Sequence, residues 1–308
     1  MTAPAPLSGI TTVILTYNEE LHLARCLDYA RAFSQEILVV DSFSTDRTVA
    51  IAQAAGARVI QNPWTNHARQ FNWALDNGGI TTPWILRLDA DEIIGPDLAE
   101  RLNRDLPGLP ERVVGATFDR RHIFMGRWVR HGGRYPLRLL RLWRNGRGRV
   151  EDRWMDEHVR VEDGDIIHMA GQFDDHALKD LTFFTAKHND YATREAIEVL
   201  NSRHGLLHAS GAEADTLGKQ AAIKRWVKEK IYNRLPFGTG PLVYLLVRLF
   251  PQLGILDGPT GIAYHVLQGF WYRFLVDAKV MELERLIADA PDRETRLARL
   301  RAATGLKL

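Results

Sequence analysis

Short apolar runs alternate with amphipathic stretches from residue 10 to residue 89, and this alternation most constrains the fold. Ile10 to Thr16 is a β-branched run, and Glu36 to Val40, Ala57 to Ile60 and Pro83 to Leu88 follow as further apolar runs. Between them lie stretches with helical spacing. The first carries Leu21, Leu23, Ala24, Leu27 and Ala30 with Asn18 as its expected cap, the second runs from about Arg47 to Ala55 and stops at Gly56, and the third runs from Asn66 to Asp76. Strand and helix in turn predict a doubly wound, mostly parallel α/β sheet. Three of its strands end in polar residues: Thr16-Tyr17-Asn18, Asp41-Ser42 and Asp89-Ala90-Asp91. In such a sheet these ends converge on one edge, where ligands bind.

Asp89 and Asp91 close the run Trp84-Ile85-Leu86-Arg87-Leu88. Two carboxylates so close repel unless a cation lies between them. A hard divalent ion, Mg²⁺ or Mn²⁺, takes oxygen ligands and also bridges phosphates. The plain alternative is a helix cap followed by a first-turn acid. No G-x-G-x-x-G or G-x-x-x-x-G-K-[ST] loop is present, so phosphates need another means of neutralisation.

A chain of 308 residues fits one large domain, or one domain with an appendage. Its net charge of +2 gives no argument for nucleic acid. Cys26 is the single cysteine, so an internal disulfide is excluded. Met1 to Ser8 has no basic and apolar succession, so no leader and a cytoplasmic chain are expected. No window reaches roughly 18 uninterrupted apolar residues, so no spanning helix is expected.

Thr16-Tyr17-Asn18-Glu19-Glu20, Val39-Val40-Asp41-Ser42-Phe43-Ser44-Thr45-Asp46 and Leu88-Asp89-Ala90-Asp91-Glu92, in that order, resemble the motifs of the family 2 glycosyltransferases. The resemblance implies a GT-A fold, a Rossmann-like nucleotide-sugar domain with a D-x-D metal motif. It implies that Tyr17 lies against the nucleotide base and that Asp41 hydrogen-bonds it. It places Asp89 near ribose and metal, and makes Asp91 the direct ligand of Mg²⁺ or Mn²⁺. Thr16, Asn18, Glu19 and Ser42 belong to the same nucleotide-binding motifs, and Arg69, in Ala68-Arg69-Gln70-Phe71-Asn72, matches a basic position near the donor.

Inverting sugar transfer needs a carboxylate to deprotonate the acceptor hydroxyl. Trp154-Met155-Asp156-Glu157-His158 resembles the segment that carries it in related transferases. Asp156 is preferred to Glu157; in an extended chain the two side chains face opposite ways, so one of them reaches the site. From Arg120 to Arg149 the cations are arginines without a lysine. Arginine grips phosphate bidentately, which nominates Arg134 and Arg138 for acceptor or phosphate contacts, against the alternative of a solvated basic face. His168 and His176 are candidates to complete a metal shell, His176 ahead.

The last third reads as helical. Leu178 to Leu200 predicts a long helix, and a basic stretch from Lys219 to Arg234 precedes the apolar runs Leu242 to Phe250 and Ile262 to Val280. Basic residues beside Trp, Tyr and Leu suit an interfacial helix on an anionic leaflet, while an ordinary helical subdomain is the alternative. Lys187-His188-Asn189-Asp190-Tyr191-Ala192 and Gln268-Gly269-Phe270-Trp271-Tyr272-Arg273-Phe274 resemble the branch that builds bacterial lipopolysaccharide core and surface polysaccharides. The expectation is a catalytic GT-A domain over 1–170, with a nucleotide-binding half at about 8–110 and an acceptor-side half at about 111–170. A helical, amphipathic, membrane-associating region follows over 171–308. The expected enzyme is metal-dependent and inverting. It moves a sugar from a nucleotide-sugar, a UDP-sugar first, to a lipid-linked saccharide at the inner face of the cytoplasmic membrane. The rivals are a scaffold of the same fold without catalysis, a nucleotidylyltransferase, and a transferase acting on protein or soluble glycan. The nucleotidylyltransferase is disfavoured because no Gly-rich basic loop follows the first strand.

Overall fold

The computed structural model describes residues 9–152, 158–206, 237–306 and 308. The chain divides into two compact units, Met1–Lys179 and Asp180–Leu308. The sequence reading set the boundary at 170; a strand runs through that position to Asp175, and the first unit closes at Lys179.

The first unit begins with β1 (Ile10–Thr16), α1 (Leu23–Ala30), β2 (Glu36–Asp41), α2 (Thr48–Ala54), β3 (Arg58–Gln61), α3 (His67–Asn77) and β4 (Trp84–Asp89). These strands pair in parallel in the order β3-β2-β1-β4. Both faces of β1, β2 and β4 are covered, which is why they read as unbroken Val/Ile/Leu runs. Alternate residues serve opposite sides. Ile10, Ile14, Val39, Leu86 and Leu88 pack with Leu23, Cys26 and Leu27 of α1. Val13, Leu38, Val40 and Ile85 pack with Ala68, Phe71 and Ala74 of α3.

The unit continues through β5 (Glu92–Ile94), α4 (Pro96–Asp105), β6 (Val113–Phe124), β7 (Arg127–Val129), β8 (Leu137–Arg144), β9 (Gly148–Val150), β10 (Val159–Val161) and β11 (Asp165–Asp175). Beyond β4 the sheet is mixed, in the order β4-β8-β6-β11-β5. Strand β8 runs antiparallel to β4 and β6, β6 and β11 are parallel, and β11 is antiparallel to β5. Strands β9 and β10 form a separate two-stranded arm.

One expected cap is corrected. Asn18 does not start α1, which begins at Leu23. It adopts φ 54°, and its side-chain oxygen accepts from the Thr45 N–H at 2.9 Å. A bond between two distant loops has displaced the local cap, and asparagine tolerates this left-handed backbone.

One face of α3 clamps the arm. The Asn66 side chain caps α3 through Arg69 N, and its amide donates to Asp152 Oδ1 at 2.8 Å. Arg69 Nε donates to Asp152 Oδ2 at 2.9 Å. Asn72 bonds the Val150 backbone twice, donating to its carbonyl at 2.8 Å and accepting from its N–H at 3.0 Å. Asp76 receives both terminal nitrogens of Arg149, at 2.5 and 2.9 Å. Residues three or four apart share a helix face, so this spacing lays a row of anchors along the segment that leads towards residue 153.

The second unit is helical: α5 (Leu181–His204), α6 (Thr239–Leu249), α7 (Gly258–Tyr264), a π-turn (His265–Trp271), α8 (Tyr272–Ile287) and α9 (Arg293–Thr304). Asp180 caps α5 by accepting from Phe183 N at 2.8 Å. Ala192, Ala196 and Leu200 share a core with Val276, Val280 and Leu283. The charged C-terminal stretch forms α9, which adds Leu297 and Leu300 to that core.

Replacing Asn72 by Ala strands the N–H and C=O of the buried Val150. The Asn72→Ala variant is expected to lose about 1–3 kcal/mol of unfolding free energy in a urea titration. Asn77→Ala, whose side chain bonds only back to Trp73 O of its own helix in an exposed position, should change it by less than about 0.5 kcal/mol.

Candidate active site

Parallel register brings the predicted strand ends together. Thr16 stands opposite Asp41, and Leu15 stands opposite Asp89. Asp41 is fully buried and collects four donors. Thr16 Oγ1 and Ser44 Oγ reach Oδ1 at 3.1 and 2.5 Å, while Ser44 N and Gln61 Nε2 each reach Oδ2 at 2.9 Å. A carboxylate offers about four acceptor positions. The protein thus fills Asp41, which holds the loops after β1 and β2 as much as it addresses any ligand. Asn18 N donates to Ser44 Oγ at 2.8 Å. Buried Gln70 donates to Ser42 Oγ at 3.1 Å, fixing the next residue along. Tyr17 and Phe43 are left exposed, at 58% and 51%.

Glu19 is committed internally. Its Oε2 lies 2.6 Å from His22 Nδ1 and its Oε1 lies 2.9 Å from Lys179 Nζ. Burial pushes this carboxyl up, but His22 and Lys179 outweigh it and hold it below the usual range. His22 Nε2 accepts the Leu178 N–H at 2.8 Å, so Nδ1 carries the proton given to Glu19.

The acidic end of β4 is richer than its two predicted aspartates. Asp89 faces two guanidinium groups, Arg141 at 3.4 Å and Arg87 at 3.8 Å, and the His67 ring at 3.8 Å. Partial burial pushes Asp89 up, but Arg141 and Arg87 hold it well below the ordinary carboxylate range. Glu92 is buried, bonds Arg141 and accepts from Asp89 N at 3.0 Å. Antiparallel pairing of β11 with β5 puts Asp175 opposite Glu92. Asp175 lies 3.0 Å from His122 and 3.3 Å from Arg120, which hold it low against its burial. Burial, reinforced by Asp89, Asp175 and Asp91 and opposed by Arg141, pushes Glu92 up to about 8. Acids crowded in one site do not all ionise together, and the deepest one keeps its proton. Cys26 places its thiol 3.7 Å from the Asp89 carbonyl; burial raises its pKa and leaves it a packing residue.

His176 is drawn next to Asp91 through the backbone, its N–H donating to the Asp91 carbonyl at 3.0 Å. Its Nδ1 accepts from Arg25 at 3.1 Å, so the outer nitrogen bears the proton of the neutral ring. Ligation through that nitrogen would require the other tautomer and loss of the Arg25 bond. No group of three His, Cys, Asp or Glu side chains forms a metal cage among the described residues. The donor set still suits Mg²⁺ or Mn²⁺: such ions are held by one or two carboxylates, completed by substrate phosphates and water.

Other arginines of the 120–149 stretch have structural duties. Arg120 and Arg121 pair with Asp175 and Asp174, Arg141 with Glu92, and Arg149 with Asp76. Arg138 keeps an exposed guanidinium 3.4 Å from Asp119, and Arg134 sits in a turn, its N–H bonded to His131 O. His168 engages Thr117 and Asp119, at 3.3 and 3.6 Å. Arg69 serves the clamp on Asp152. Asp156 and Glu157 lie outside the described residues. Glu92, Asp175, Arg141, Gln61 and Gln70 escaped the sequence reading. Glu92 stood inside the quoted motif, whereas Asp175 enters through a long-range antiparallel pairing that leaves no local pattern.

Residues 11–172 match the profile described as glycosyl transferase family 2. An uncharacterised glycosyltransferase of Rickettsia typhi is 38% identical over 96 residues, 31% of this chain and 32% of that one. The lipopolysaccharide core biosynthesis glycosyltransferase LpsC of Rhizobium meliloti is 33% identical over 151 residues, 47% of this chain and 54% of that one. The chain thus spans about a third to a half of the length of these curated relatives. Among solved structures, the mannosyltransferase PcManGT of Pyrobaculum calidifontis, in complex with GDP-Man and Mn²⁺, aligns with a TM-score of 0.45 at 14% identity, covering 91% of this chain and 87% of that one.

The raised Glu92 carboxyl sets a pH dependence. The folded chain binds this proton more tightly than the unfolded chain. Its contribution to stability is full below the ordinary glutamate pKa of 4.5 and is lost as pH rises through about 8. Asp89 and Asp175 are held low and contribute a constant amount across that window. In buffer free of divalent ions, the melting temperature should fall over that window, and Glu92→Gln, which mimics the protonated acid, should flatten the fall.

Proposed function

The chain belongs to glycosyl transferase family 2, and from that premise we propose that it moves a sugar from a nucleotide-sugar, a UDP-sugar first, to a saccharide hydroxyl with inversion. The observation that carries the proposal is the meeting of Thr16, Asp41 and Asp89 at one edge, within the matched segment. The loops stitched by Asp41, Ser44, Gln70 and Asn18 form the wall for the nucleoside, with exposed Tyr17 offered to the base. Arg87 and Arg141 set positive charge beside Asp89, so a diphosphate approaches an edge already balanced against its carboxylates. A bound Mg²⁺ or Mn²⁺, held by Asp91 with Asp89, would neutralise the departing diphosphate. Asp156, or Glu157 in its place, takes the proton from the acceptor hydroxyl as its oxygen attacks the anomeric carbon. The clamp of Asn66, Arg69 and Asn72 on residues 150–152 orients the chain that leads to that base.

Similarity to LpsC supports a lipid-linked saccharide acceptor in lipopolysaccharide or surface polysaccharide synthesis, with the C-terminal unit holding the enzyme on the inner face of the cytoplasmic membrane. The basic stretch Lys219 to Arg234, expected to contact the leaflet, lies outside the described residues.

Thermal melting with UDP, GDP, CDP, ADP and dTDP, each with and without Mn²⁺, tests the donor site. A nucleotide at 100 times its Kd stabilises the fold by about 2.7 kcal/mol. One nucleoside diphosphate, UDP first, should raise the melting temperature in the presence of Mn²⁺, and Asp91→Asn should abolish both this rise and sugar transfer. A chain that melts identically with all five, or an Asp91→Asn variant with full transfer activity, would remove the donor-site reading and favour a scaffold.

A further inference from the structure

We infer that residues 237–272 form a bent hairpin whose outer face inserts into the hydrocarbon of a phospholipid leaflet. This deepens the membrane-surface part of the reading above and rests on it. Between Phe237 and Tyr272 the chain carries one arginine, one aspartate and one histidine, and no lysine or glutamate. All three point inward: Arg248 is 1% exposed, His265 0%, and the Asp257 side chain 3%. The outer surface is made instead by Leu242, Val243, Leu246, Phe250, Leu253 and Leu256, with Phe250 at 55% and Leu256 at 63% exposed. A helical pair in water has the opposite polarity. Ionisable groups turned inward and paired, with aliphatic groups turned outward, is the arrangement of protein in lipid.

The interior is built to hold those charges. Arg248 donates to Gln268 Oε1 at 2.5 Å, and its guanidinium lies 5.5 Å from each of the Tyr244 and Tyr264 rings. His265 Nε2 lies 3.5 Å from Asp257 Oδ2. Glycines allow the approach. A Cβ at Gly254 would come within 2.7 Å of His265 Nε2, one at Gly269 within 2.8 Å of an Arg248 nitrogen, and one at Gly261 within 2.0 Å of Asp257 Cβ.

The turn is also fit for a dry medium, where exposed backbone groups find no water. Pro251 has no N–H. The N–H groups of Gln252, Leu253 and Leu256 bond to Val247, Phe250 and Leu253 carbonyls at 3.1, 2.9 and 3.0 Å. No single helix among the described residues is long and apolar enough to cross a membrane, but Thr239–Leu249 and Gly254–Ile287 pass that test together, bent by 71°. Helix α6, with 11 residues, is about 16 Å long, roughly half of the 30 Å hydrocarbon thickness. The hairpin therefore dips into one leaflet. Lipid is favoured over a second copy of the chain because a protein interface carries a polar rim, and this surface exposes no charged side chain between Phe237 and Tyr272.

The test uses the full chain with a Leu256→Cys substitution labelled with an environment-sensitive nitrobenzoxadiazole dye. Cys26 is fully buried, so the label goes to the introduced thiol. Neutral phosphatidylcholine vesicles should shift the dye emission to the blue and raise its intensity, while the same label on Leu286→Cys, exposed on α8, should not respond. The double variant Phe250→Glu/Leu256→Glu should lose cosedimentation with these vesicles by more than about tenfold, with its nucleotide-dependent melting shift intact. That retained shift separates loss of insertion from loss of the donor site. An unchanged Leu256 label on vesicles, or a double variant that sediments as the parent does, overturns the inference. A blue shift that grows with protein concentration without lipid also overturns it, in favour of a second copy of the chain.

Discussion

The parallel pairing of β1 with β2 on one side and β4 on the other is the constraint on which the rest of the first unit depends. Parallel strands deliver their carboxyl ends to the same side, and these three carry Thr16, Asp41 and Asp89 there. A slip of one residue would turn Asp41 from its four donors and send Val39 to the face now occupied by Leu38 and Val40. The apolar cores on the two faces therefore fix the chemistry at the edge, because the same alternation assigns both.

The second constraint is charge. Asp89, Glu92 and Asp175 share a small volume with Arg141, Arg120, Arg87, His67 and His122. Burying such a group of ionisable side chains is costly unless nearly every partner is satisfied. The sheet satisfies them by pairing β11 against β5 and β6 against β8, so strands far apart in sequence each bring a partner to the cluster. Arg120 and Arg141 of the arginine-rich stretch 120–149 are spent on this balance.

The parallel half was legible because its signals are local. Each apolar run and each polar strand end lies within a few residues, and periodicity reads such windows well. Asn18 was misread because its partner, Thr45, is on another loop and overrode the cap. Asp175 and Arg141 were out of reach for a related reason: they gain meaning only through pairings across the mixed half of the sheet. Arg69 was picked out by its motif, yet its contact with Asp152 depends on an arm whose position no periodicity announces.

The clamp on that arm has a further consequence. Asn72 grips Val150 through the main chain alone, so this one anchor does not depend on the identity of the side chain at that position, unlike the neighbouring bonds of Arg149 and Asp152. A substitution at position 150 therefore leaves both of these bonds available. Gln70, two residues earlier on the same helix, secures Ser42 in the loop after β2. One helix thereby ties the loop after β2 and the β9 arm to a single rigid element, so that a displacement of either is transmitted to the other.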